Sequence, residues 1–350
     1  MSIANVNKLN LHLHCIFSIR VKILLLIVIL FVLSFLSLLS GSVRLPLSEV
    51  VQAIAGSGTE EVRFIIVELR FPQMFTAILT GAALAISGML MQTLFENPLA
   101  DPSLLGINSG ASLGAAIALL LLGGSWTIGE HSLSGVLLTV IAAFVGACMV
   151  NVFLVACSKV LRGNLALLVA GVMLSFIISA VISMLNFYAT ADGVRSYVVW
   201  SMGDFSNVSL NQLPILATLT ILPICCLIGM VSPLNALLLG TDYATNLGVN
   251  VRSVRTLMLL ITGLLTASVT AMCGPISFIG LAVPHMARML FPTADHKYLI
   301  PSCLLIGANV ALLSLIISHL PGERGVLPLA AITPLLGVPV VFYILISSRR

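Results

Sequence analysis

The residue types that most often carry chemistry are scarce in this chain and badly spaced for it. The only lysines are Lys8, Lys22, Lys159 and Lys297, and none closes a Gly-x-x-x-x-Gly-Lys-Ser/Thr loop able to cradle phosphates. No His-Glu-x-x-His helix, Ser-His-Asp order or paired carboxylate occurs in a workable setting. His12, His14 and Cys15 form one short cluster, but two or three ligands in a terminal tail make a poor metal site. The seven cysteines include no Cys-x-x-Cys and fall mostly in apolar runs, where they behave as small hydrophobes. The chain alone is expected to be no enzyme and to bind no cofactor or metal. Any ATP chemistry must come from another subunit.

The polar groups that remain sit inside apolar sequence: Gln92, Asn108, Asn151, Asn186, His285 and Asn309. Amides in such places hydrogen-bond across helices, and a minority line a pathway. Aspartate and glutamate are effectively absent from these stretches, which argues against a proton or sodium relay built on buried carboxylates. Small residues recur at helical spacing instead. Gly106, Gly110 and Gly114 make two Gly-x-x-x-Gly steps, and Gly81, Ala85 and Gly88 share a helix face with Gln92. Without a hydrophobic drive between helices in lipid, close backbone approach must hold them together, so these glycines are expected to be packing positions.

The elements that carry these residues follow from composition. Of 350 residues 59% are hydrophobic and 8% charged, where a soluble domain carries about 25% charge. Mean hydropathy is +1.16. A soluble enzyme, a disordered chain and a disulfide-rich secreted domain are excluded, and no nucleic-acid partner is expected. Nine uncharged runs of at least 21 residues occur, at 23–43, 71–95, 102–129, 132–158, 163–191, 205–241, 256–287, 298–322 and 325–348. Each exceeds the roughly 20 residues a helix needs to cross a bilayer. They lack the alternation of barrel strands, so the fold class is an all-α polytopic membrane protein.

Cys273-Gly274-Pro275 interrupts the run 256–287, and a turn there would split 256–297 into two crossings. Ten spans with a cytoplasmic N-terminus put eleven Lys and Arg inside against five outside, whereas nine spans divide them eight against eight. The positive-inside rule selects ten transmembrane helices with both termini cytoplasmic. The run from Ile23 to Leu39 before Ser40-Gly41-Ser42 could be a cleaved signal. It is longer than a usual signal core, and ten-span parity needs it retained. The expected layout is a tail over 1–22 and one transmembrane domain over 23–350. Thr80-Gly81 recurs as Thr262-Gly263, and Asn97-Pro98-Leu99-Ala100 with Leu105-Gly106 is echoed by Gly274-Pro275-Ile276-Ser277 with Ile279-Gly280. Five spans separate the copies, which predicts an inverted repeat of helices 2–5 and 7–10.

Two loops stand out. The inside segment at about 234–252 reads as one or two short helices, with Asp242 at a helix start and Gly248 at a stop. It offers a docking surface or is simply a connection. On the outside, Arg70 precedes a span whose first turn holds Pro72. It either snorkels to the interface or pairs with a carboxylate on an external partner.

Three ordered motifs carry a family resemblance. Arg70-Phe71-Pro72, Gly81 through Gly88, Gln92, Asn97 through Pro102 and Leu105-Gly106 form the first; Gly274 through His285 with Arg288 form the second; Pro328 through Pro339, with Thr333 and Gly337, form the third. From about residue 44 onward the chain resembles the FecCD family, the permease subunits of iron-chelate, haem and vitamin B12 ABC importers. The resemblance implies a type II importer in the bacterial inner membrane. Two copies of the permease, as a homodimer, would surround a central path, with two ATPase subunits holding ATP and Mg below and a periplasmic binding protein above. It assigns Asn97 and Leu99 to a cytoplasmic gate, and Gly240, Asp242, Ala244, Leu247, Gly248 and Arg252 to ATPase coupling. Arg70, His319 and Arg324 would dock the binding protein, although Gln73, His319 and Val326 depart from the family pattern. The expected cargo is an iron chelate, foremost a ferric siderophore, with haem or vitamin B12 as alternatives. An ion-coupled secondary transporter is the competing class. Spans that offer few hard ligands suit a preformed chelate better than a bare metal ion.

Overall fold

A computed structural model describes residues 3–347 apart from 42, 44, 124, 125, 129, 130, 134, 162, 323 and 324, without the side chains of 3–18, 126–128, 131–133, 344, 345 and 347. The side chains of His12, His14 and Cys15, and all of Arg324, therefore lie outside the described residues. Among the described residues, thirteen helices follow one another: α1 (Ile3–Leu39), α2 (Leu47–Ile54), α3 (Glu60–Phe95), α4 (Ile107–Leu121), α5 (Gly135–Val160), α6 (Asn164–Tyr188), α7 (Ala191–Ser201), α8 (Leu213–Leu237), α9 (Thr241–Asn246), α10 (Val251–Cys273), α11 (Ile279–Leu290), α12 (His296–Ser318) and α13 (Leu329–Ser347). One antiparallel hairpin, β1 (Trp126–Ile128) with β2 (His131–Leu133), lies between α4 and α5.

Seven of the helices, α1, α3, α5, α6, α8, α10 and α12, are long and apolar enough to cross a bilayer. Helices α4, α11 and α13 are shorter and contain no acidic residue. The expected break after Cys273 is present. Gly274 takes a positive φ of 77°, and Phe278 takes 68° just before α11 starts.

Helices α3 and α10 form the centre: 78% of the most apolar window of each is buried, against 17% for α1 and α6. The outer helices present Leu24, Phe31, Phe176 and Phe187 outward, which only lipid or another apolar surface tolerates. The packing partners form a pattern that maps onto itself. Helix α3 lies on α12 as α10 lies on α5, and α3 touches α11 as α10 touches α4. Likewise α4 packs on α5 and α6, and α11 on α12 and α13.

Small residues make the closest of these contacts. Gly81 and Ala85 face Gly307 and Ala311 of α12, while Gly88, on the same face of α3, meets the backbone of Gly280 in α11. Gly110 lies on Gly146, and Gly114 on Ala142 and Ala143, both in α5. A Cβ at Gly88 would overlap the Gly280 carbonyl, so the two backbones could not keep their separation. Gly88→Leu is expected to lower the melting temperature in detergent sharply or to abolish recovery of a monodisperse protein, because overpacking costs about 1–3 kcal/mol or more. A variant with wild-type melting and elution would show that the close approach is dispensable.

Candidate functional site

The glycine face of α3 continues into polar residues at the helix end. Gln92 Nε2 donates to the Leu281 carbonyl at 3.2 Å, and Arg288 Nη1 donates to Gln92 Oε1 at 2.6 Å. One amide thus uses both ends to hold α11. The helix then stops at Glu96, whose φ is 50°, and the chain turns through Asn97-Pro98-Leu99-Ala100 into a single 3-10 turn at Pro102–Leu105. Gly106, with φ 83°, redirects it into α4 and lies against Ser175 and Gly171 of α6.

Each bend of this loop is tied down. Asn97 Oδ1 accepts from the Leu99 amide at 2.9 Å, an Asx turn. His285 Nε2 donates to the Pro98 carbonyl at 2.6 Å. Asp101 Oδ1 accepts from the Ser103 amide at 2.8 Å and its hydroxyl at 2.5 Å. Burial holds the Asp101 carboxyl above the usual carboxylate range, and the Ser103 bonds offset only part of that effect. Leu99 itself stays 41% exposed at the loop tip. The structure therefore brings Asn97 and Leu99 together on one loop fastened to α11, with His285, Gln92 and Arg288 as its supports.

Asparagine 235 in the last turn of α8 makes another connection. Its Oδ1 accepts from the His296 amide at 2.9 Å and from His296 Nδ1 at 2.8 Å, while its Nδ2 donates to Asp295 Oδ1 at 2.7 Å. The Asp295 carboxylate also caps α12 through the Lys297 amide, and that bond comes first among those holding it below the usual carboxylate range. On its other side, His296 Nε2 lies 3.2 Å from Thr93 Oγ1 of α3. These bonds place the end of α8 at the same end of the bundle as the 97–106 loop.

Helix α9 follows α8 directly. Gly240 precedes it with φ 102°, and Gly248 ends it with φ 82°. Asp242, Leu247, Gly248 and Arg252 are exposed, whereas Ala244 is fully buried. Ala244 therefore seats the helix on the protein and cannot contact a partner. The exposed apolar residues are Leu238, Leu239, Tyr243 and Leu247. Tyr243 and Leu239 escaped the sequence reading, although apolar residues in a segment that joins two long helices were the available signal. Arg252 Nη2 donates to the Lys159 carbonyl, joining α10 to the end of α5.

At the opposite end of α10, a cleft of about 630 Å³ opens between α5, α7 and the chain before α13. Asp192, Arg195, Trp200, Asp204 and Asn207 are among its walls. Arg70 is also on this side, but only 4% exposed. Its guanidinium donates to the carbonyls of Leu38 at 2.7 Å, Leu39 at 3.1 Å and Val43. Both expectations for Arg70, snorkelling or facing an external carboxylate, are corrected: it is turned inward to satisfy carbonyls that the end of α1 leaves open. His319 follows α12 and is half-buried; burial pushes its imidazole below the ordinary range, Asp204 opposes this and Arg70 reinforces it. Among the described residues, no three of His, Cys, Asp and Glu gather as a metal site.

The profile described as the FecCD transport family matches residues 26–347. The vitamin B12 import system permease protein BtuC of Klebsiella pneumoniae is 38% identical over 283 residues, spanning 81% of this chain and 82% of the relative. A solved inward-facing structure assigned to the metal-chelate type of ABC transporter matches with TM-score 0.82 and 26% identity, covering 94% of this chain and 99% of that one. PsaBC from Streptococcus pneumoniae, solved in complex with a Fab, shares the fold at TM-score 0.53 and 14% identity, over 84% and 94% of the two chains.

Asp101 supplies a pH prediction. Its carboxyl is raised by burial, so both folded and unfolded chains are protonated well below the ordinary carboxylate range, and the cost of burying the charge grows as pH rises through it. Asp101→Asn keeps an acceptor for Ser103 and removes that cost. The variant is expected to melt higher than wild type at pH 7.5, with the difference vanishing towards pH 4. A wild type that melts higher at pH 7.5 would show the carboxylate to be stabilising.

Proposed function

The chain belongs to the FecCD transport family, and from that membership we propose that it is the translocation subunit of an ATP-driven importer for preassembled metal chelates. It is a multi-pass permease of the inner membrane. In this reading the chain crosses ten times, with α4, α11 and α13 completing the seven longer helices, and both termini face the cytoplasm. The exchange of packing partners between α3–α6 and α10–α13 supports an inverted repeat.

Two copies enclose the path, and each contributes the loop bearing Asn97 and Leu99 as the inner gate. Two ATPase subunits bind ATP and Mg, and seat on the exposed apolar residues around α9. A periplasmic binding protein delivers cargo to the opposite end, where the cleft bordered by Trp200 and Arg195 opens. The observation that carries this reading is the juxtaposition of the fastened 97–106 loop with the end of α8 and hence with α9. A gate and a motor contact at one end are what an energised importer needs. An ion-coupled carrier would instead need buried carboxylates along the path, and the long apolar runs offer none.

Within the chelate class two cargoes have specific support. The relatives named as vitamin B12 permeases favour a corrinoid, and the resemblance to a metal-chelate transporter favours a ferric chelate such as a siderophore. Reconstitution with the cognate ATPase and binding protein, followed by uptake of labelled cobalamin, ferric siderophore and haem in parallel, is expected to show ATP-dependent uptake of one of them. Uptake that persists without ATP, or collapses with an ionophore, would contradict the proposal. In the same assay Leu247→Glu should reduce ATPase association at least about tenfold, since a charge at the centre of an apolar contact is left unpaired. The subunit should still insert in the membrane. Undiminished association would remove α9 from the contact.

A further inference from the structure

The structure points to more than proximity between the end of α8 and the gate loop. We propose that Asn235, His296 and Thr93 are positioning residues that relay displacement of the α8–α9 segment to the Asn97–Leu99 loop. This inference rests on the importer reading above.

The three residues come from sequence positions far apart and are joined by side-chain bonds. Asn235 is fully committed to the start of α12, through the His296 amide, His296 Nδ1 and Asp295. His296 is 0% exposed, so water cannot replace a bond it loses, and the partners must move together or stay unpaired. Thr93 then stands three residues before Glu96, where α3 ends and the loop begins. Its neighbour Gln92 holds α11, which in turn holds Pro98 through His285. A shift of Asn235 is thus felt at the root of the loop.

The Thr93 hydroxyl gives this chain two discrete arrangements. With Nδ1–H donated to Asn235, the neutral ring offers Nε2 as an acceptor. Thr93 has one proton and two acceptors in reach, Nε2 of His296 at 3.2 Å and the Met89 carbonyl at 3.0 Å. Donation to His296 ties the end of α3 to α12; donation to Met89 closes the hydroxyl onto its own helix and releases α12. A coupling element requires such alternatives, because packed helices do not deform continuously.

Thr93→Val is the decisive variant, being isosteric and removing only the hydroxyl, and Thr93→Ser restores it. The protein is assembled with its ATPase and binding protein in nanodiscs, with a spin label on Leu99→Cys to read the distance between the two gate loops. Wild type and Thr93→Ser should change that distance on addition of ATP. Thr93→Val should lose the change and import about tenfold less cargo per ATP hydrolysed, the scale of one buried hydrogen bond, while hydrolysing ATP within about twofold of wild type. A wild-type distance change and import ratio in Thr93→Val would overturn the relay, as would a parallel fall of hydrolysis and import. If wild type itself shows no ATP-dependent change, the importer reading falls and the relay falls with it.

Discussion

The contact on which this molecule depends is the close approach of α3 to α12 and α11 along one face of small residues. Gly81, Ala85 and Gly88 let backbones meet where any larger side chain would hold them apart. Lipid supplies no hydrophobic drive for helix association, so this contact is set by dispersion and by the hydrogen bonds that short distance allows. Gln92 and Thr93 continue the same helix and reach Leu281, Arg288 and His296 because the glycines have already brought α11 and α12 within range. A bulky residue higher on the helix would therefore disturb polar bonds several turns away.

The polar bonds have a common logic. Each ties an irregular backbone segment to a regular one: the 97–106 loop to α11 through His285, the turn before α12 to the end of α8 through Asn235, the chain after α1 to α3 through Arg70. Irregular backbone inside a membrane protein survives only where protein satisfies it. The side chains that meet that requirement also fix where the loops stand. A loop held by a few bonds is placed accurately and can be released by breaking few of them.

Much of this was legible in the sequence, for identifiable reasons. Length and charge gaps gave the long helices, since a bilayer crossing leaves a run of about 20 residues whatever the packing. Gly274-Pro275 marked the break before α11 because proline and a positive φ are local properties. The 97–106 loop was marked out at Asn97-Pro98 only through family resemblance, and its supports were not visible at all. His285 to Pro98, Asn235 to His296 and Arg288 to Gln92 are long-range pairs, and periodicity says nothing about which partner a buried amide finds. Arg70 illustrates the same limit: its position before a span was clear, but the open carbonyls that turn it inward belong to α1. Ala244 and Tyr243 are neighbours in one short helix, and only the packing of α9 decided that the first is covered and the second free.

The central claim is that the energy for transport enters through α9 from the cytoplasm. The most direct measurement is labelling of Tyr243→Cys, in a background without the seven native cysteines, by a membrane-impermeant thiol reagent. Inside-out vesicles should label and intact spheroplasts should not, with added ATPase protecting the site. Labelling from the periplasmic side would put α9 beyond the reach of any cytoplasmic motor and contradict the account.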